Sequence, residues 1–257
     1  MRTLASKSAD IFLYMFHGVG TLLNISTIIV GSTLGIFIGE RLREQTRNLV
    51  TDVLGLVTML GATSALIPLF NSSYKNAIPK GWSTMPILFS LLIGGVIGSA
   101  LKLEDRVEHL GDFLRQKFRS KQSTFVEGFI DSSLLFVIGP LAILGSISDG
   151  MGKGIDQLTL KSVLDGFASM AFASSLGWGV AASAIPVGIY QAAWTLIGFL
   201  LGNILAPYQV DAMTITGGLM LLAIGLRLLK IKAVQVGNLL PALFLAPLIA
   251  QLFHHFT

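Results

Sequence analysis

Glu127 and Asp131 stand four residues apart in an apolar run, and Asp165 opens a second such run with Ser169 one helical turn further on. Residues at that spacing share a helix face. Within a bilayer a carboxylate costs roughly 2.5 to 3.5 kcal/mol at mid-span on insertion scales, so it turns toward a cavity or a partner. The chemistry open to Asp131 and Asp165 is therefore the holding of a cation or a proton. The plainer alternative is that these acids are shallow and favour the positive N-terminal end of a helix. Ser132, Ser133, Ser169, Ser174 and Ser175 add hydroxyls that either line a polar path or bond to carbonyls one turn earlier. Asn24, Gln191 and Asn238 are amides in apolar surroundings and must find partners across helices or on a substrate.

No pattern for other chemistry accompanies them. There are no cysteines, and His17, His254 and His255 lie near the ends and lack metal-ligand spacing with acids, so neither a thiolate nor a metal centre is expected. Phosphate-loop, zinc-protease and serine-elbow motifs are missing, which argues against an enzyme and calls for no cofactor.

The elements that must position these residues are membrane helices. Of 257 residues, 53% are hydrophobic and 12% charged, against about 25% charged in soluble domains. A helical crossing needs about 20 apolar residues. About eight spans satisfy this, near residues 19–39, 51–70, 83–101, 126–148, 160–178, 184–205, 211–228 and 237–254. The fifth and sixth share one charge-free run, 166–210, with Pro186 as the expected break. Gly139-Pro140 and Pro241 are further expected interruptions, of the kind that frees carbonyls for ions or merely kinks a helix.

Basic residues follow spans one, three and seven: Arg41, Arg43 and Arg47; Lys102, Arg106, Arg115, Lys117, Arg119 and Lys121; Arg227, Lys230 and Lys232. These place that side in the cytoplasm and both termini outside it. The net charge of +4 is thus a topology signal and not a nucleic-acid footprint. Lys161 falls on the outer side in this scheme. Residues 1–18 form an N-terminal extension and 19–257 one membrane domain. Within that domain, 102–124 is a cytoplasmic amphipathic segment, with Leu103, Val107, Leu110 and Leu114 on one stripe.

Gly31, Gly35 and Gly39 recur at four-residue spacing, with echoes at Gly94/Gly98 and Gly198/Gly202. Small residues at this spacing let two backbones approach where lipid offers no hydrophobic drive to pair helices. Setting Leu34–Gly39 on Ile197–Gly202 also sets Gly55 on Gly218, and Pro86–Phe89 resembles Pro241–Phe244. Spans one to three (19–101) thus match spans six to eight (184–254) and run oppositely, an inverted-repeat plan with the two acidic spans, 125–180, between the halves.

The blocks GTLLNISTIIVGSTLGIFIGERL (20–42), SSLLFVIGPLAILGSISDG (132–150), KSVLDGFASMAFASSLGWGV (161–180), SAIPVGIYQ (183–191), TGGLMLLAIGLRLL (216–229) and NLLPALFLAPLI (238–249) closely resemble the bacterial membrane family called domain of unknown function 554. The resemblance implies a multi-pass inner-membrane protein and carries no substrate with it. The expectation from the residues is a secondary transporter of a small ion or solute, best read as a cation. The alternatives are a passive channel, separable by its currents, and a non-transporting scaffold that meets anionic lipid through the basic segment. The partners expected are the lipid bilayer and the small ion or solute, and glycine ridges of this kind also suit a homodimer.

Overall fold

The structure, a computed structural model, describes residues 17–118, 122–138, 140–201 and 205–256, and the described residues are helical or connecting, with no strand. In chain order the helices are α1 (Val19–Gly39), α2 (Glu44–Leu66, prolonged by a 3-10 turn to Phe70), α3 (Ser72–Ala77), α4 (Met85–Ala100), α5 (Leu103–Lys117), α6 (Phe125–Val137), α7 (Pro140–Gly150), α8 (Asp156–Leu176), α9 (Trp178–Ala182), α10 (Ala184–Leu201), α11 (Pro207–Leu228) and α12 (Leu240–His254). Among the described residues, five stretches are long and apolar enough to cross a membrane: α1, α2 with its 3-10 turn, α9 with α10, α11, and α12 with the turn before it. They become seven if the bent pairs α4/α5 and α6/α7 each count as one span. α8 is 21 residues long but carries Asp156, Lys161 and Asp165.

The glycines explain how these helices pair. A methyl on Gly31, Gly35 or Gly39 would overlap the carbonyl oxygens of Gly166, Met170 and Ser174 respectively, so α1 and α8 pack in parallel, backbone against backbone. Gly94 lies against Ala242 and Gly98 against Asn238, which makes α4 and α12 antiparallel. Gly55 meets Gly225 and Leu229, while Gly218 meets Ala62, so α2 and α11 are antiparallel as well. Gly198 meets Ile147 where α10 crosses α7. These ridges are therefore occupied within one chain. Gly202 and Gly139 lie outside the described residues.

Several boundaries differ from the sequence expectation. The run 166–210 breaks at Gly177, not Pro186: Gly177 adopts φ 76° and ψ −149°, a conformation that favours glycine, and ends α8. Pro186 sits in the first turn of α10, where its missing N–H leaves no bond unmade. Pro241 likewise starts α12 and does not interrupt it. The expected fourth span is two helices, α6 and α7, whose axes differ by 63°. α5 turns 56° away from α4 after Lys102, which has φ 52°, and buries Leu114 and Gly111 of its amphipathic surface against the bundle.

Candidate ion-binding site

The carboxylates foreseen from the sequence are both buried, and each meets a basic side chain that the sequence reading had assigned to topology. Asp131, on the second turn of α6, has no exposed surface. Arg227, in the last turn of α11, places Nε 3.1 Å from Asp131 Oδ1 and donates from Nη1 to Glu104 Oε1 at 2.9 Å. Glu104 also accepts from the Gly237 N–H at 2.6 Å, while its own N–H donates to Asn238 Oδ1 at 2.9 Å. One guanidinium thus ties α5, α6 and α11 together. Neither oxygen of Asp131 receives a hydrogen bond among the described residues. Two cavities, of about 470 and 510 Å³, adjoin this centre, the first mainly polar and the second mixed, and Glu127 and Lys230 line both.

Asp165 lies on α8 against α1. Its Oδ2 accepts from Asn24 Nδ2 at 3.0 Å and pairs with Lys161, one turn earlier on α8. Lys161 is only 6% exposed, and its ammonium stands 5.9 Å from the centre of the Phe136 ring on α6. Asn24 Oδ1 is buried and accepts nothing among the described residues. The two centres are held by different helices: Asp131 is about 9 Å along α6 from Phe125, whereas Asp165 is about 14 Å along α8 from Asp156.

The hydroxyls divide. Ser133 donates to Phe129 O, Ser169 to Gly166 O and Ser174 to Ala171 O, each to a carbonyl three or four residues back on its own helix. Ser132 has no partner among the described residues, and Ser175 is buried at the end of α8 beside the first cavity. Of the amides, Asn24 joins the Asp165 centre. Asn238 instead caps α5, receiving the Glu104 N–H and donating to Gln235 Oε1 at 3.1 Å, so its side chain is consumed by structure. Gln191 is wholly buried on α10, and neither amide atom has a partner among the described residues. No group of three His, Asp or Glu among the described residues is arranged to hold a metal.

The sequence reading missed Glu104, Lys161 and Arg227. Lys161 was within reach, because lysine four residues before aspartate shares its helix face. A further acid, Asp149 at the end of α7, accepts from the N–H groups of Gly18 at 3.2 Å and Gly20 at 3.1 Å, and so caps α1 from another helix.

The family described as a protein of unknown function, DUF554, matches residues 19–251. The chain belongs to this family. DUF554 relatives include an uncharacterized membrane protein of Bacillus subtilis, YdfK, 31% identical over 240 residues, covering 92% of this chain and 97% of YdfK. The uncharacterized protein YqgA of Escherichia coli is 31% identical over 233 residues, 89% of this chain and 94% of its own. No solved structure matches. The DUF554 match spans both acidic centres and the helices that carry them.

Proposed function

We propose that this DUF554 chain is a secondary transporter that carries a small cation across the bacterial inner membrane by alternating access. The observation that carries the reading is Asp131: a carboxylate with no exposed surface and no hydrogen bond to either oxygen, held in an apolar bundle by a single guanidinium. Burying a charge so sparsely solvated is costly, and membrane helices keep such groups where they serve a polar pathway. Glu127, one turn before Asp131 and on the wall of two cavities, supplies the approach from the end where the basic residues gather.

The architecture proposed is eight crossings, with α8 added to the seven apolar candidates because it is long enough and packs along α1. An inverted repeat exchanging α1 with α10, α2 with α11 and α4 with α12 is supported by the packing pairs. The pairs α1·α10, α2·α11 and α4·α12 each map onto themselves, and α1·α8 maps onto α10·α7. With the basic clusters in the cytoplasm, both termini lie outside it.

The test is flux in proteoliposomes with Na⁺, K⁺, Li⁺, Mg²⁺ and Ca²⁺ in turn. Saturable counterflow of at least one of these ions is expected, and Asp131→Asn should abolish it while the purified variant keeps a cooperative thermal transition. Single-channel currents would make the chain a channel, and counterflow that survives Asp131→Asn would remove Asp131 from the path.

A further inference from the structure

Four polar side chains, none in the acidic centres, are buried without partners on three helices that pack on one another. Gln191 and Thr195 stand one turn apart on α10, Ser146 is on α7 and Thr21 on α1. None is more than 6% exposed, and neither amide atom of Gln191 nor any of the three hydroxyls has a hydrogen-bond partner among the described residues.

The helix contacts bring these groups to one place. Gly188 lies against Ile25 and the Phe199 ring against the His17 ring at 5.0 Å, so α1 and α10 are antiparallel. In that register Thr21, one turn before Ile25, stands opposite the turn that carries Gln191 and Thr195. α7 closes the third side. Gly150 lies against the Thr195 carbonyl, Ser146 is one turn before Gly150 on the same face, and Asp149 fastens this end of α7 to the start of α1. Asn24 follows Thr21 by one turn, has a buried Oδ1 without a partner among the described residues, and donates to Asp165 through its amide nitrogen.

A buried polar atom left unpaired forfeits its hydration with nothing in return, and several gathered in one place amount to a site for something that pairs with them. Their character names its chemistry. Gln191 Oε1, Asn24 Oδ1 and three hydroxyls are neutral hard-oxygen donors, suited to water and to a small cation that still carries part of its hydration shell. We infer that α1, α7 and α10 enclose an occluded hydrogen-bonding chamber that admits the cation with its hydration water from the His17 end and delivers it to Asp165. This rests on the transport reading above and gives it an outer half, opposite the Glu127 cavities.

The chain has no cysteine, so single cysteines report without background. Thr21→Cys, Ser146→Cys and Thr195→Cys, each near-isosteric, are to be reacted with a small charged methanethiosulfonate in spheroplasts and in inverted vesicles. Val187→Cys, wholly buried on α10 in an apolar cluster with Ile28 and Phe136, is the control. Thermal unfolding of each purified variant checks its fold. Labelling from the outer face an order of magnitude faster than at Val187→Cys, at two of the three positions or more, is expected. Rates equal to the control, or labelling from the inner face alone, would overturn the chamber. Flux without labelling leaves the transport reading standing and removes the chamber, whereas labelling without flux does the reverse.

Discussion

Replacing Gly35 by alanine should destabilise the protein by about 2 to 3 kcal/mol, although the same exchange at Gly61 should not. At Gly35 the added methyl meets the carbonyl oxygen, carbonyl carbon and Cα of Met170, all backbone atoms of α8, so no side-chain rotation relieves the overlap. Carbon and oxygen settle near 3.5 Å, so α1 and α8 must part by roughly an ångström. A gap of about that size forfeits a quarter to a half of each dispersion contact along the pair, and insertions of one methyl into tight packing cost about 1 to 3 kcal/mol. At Gly61 nothing lies within 4 Å of the new methyl, and alanine is the better helix former by up to about 1 kcal/mol. For a chain of this size each kcal/mol moves the midpoint by about 2 to 4 °C, so variants separated by about 2 to 4 kcal/mol should unfold roughly 4 to 16 °C apart. Thermal unfolding of the detergent-purified proteins, followed by tryptophan fluorescence, measures the difference. Equal midpoints, or Gly35→Ala the more stable, would refute backbone contact between α1 and α8.

Arg227→Met leaves Asp131 without its cation and should cost about 3 kcal/mol or more, with Arg227→Lys losing less because charge is retained; denaturation midpoints rank the two. Asp149→Ala removes the acceptor for Gly18 and Gly20 and should cost about 1 to 2 kcal/mol, seen as a lower midpoint and faster amide exchange at the start of α1. Gly177→Ala forces a side chain into a positive-φ conformation and against the Gln122 side chain; a loss of about 1 to 3 kcal/mol is expected in the same unfolding assay.

How much of this was legible beforehand depended on how far each interaction reaches along the chain. The small face of α1 was plain from Gly31, Gly35 and Gly39, because spacing defines a face. The helix lying on that face was not, since α8 begins more than a hundred residues later and nothing local points to it. Asp131 and Asp165 stood out because charge in an apolar run is conspicuous. Their partners did not: Arg227 closes α11 and resembles an ordinary flanking charge until α5 and α6 bring Glu104 and Asp131 to it. Asn238 looked like Gln191 in sequence, yet one amide caps α5 and the other faces the chamber, a distinction made only by what packs opposite. Pro186 drew the expected break because proline disrupts helix interiors, whereas a first-turn proline does not.

The bond from Asn24 to Asp165 joins residues 141 positions apart. During synthesis at about 5 to 20 residues per second, α1 therefore waits roughly 7 to 28 s with an amide and a bare glycine ridge before its partner helix emerges. For that interval the first helix needs a temporary companion, from the insertion machinery or a nascent neighbour, and truncated chains ending before α8 should be targets of membrane quality-control proteolysis.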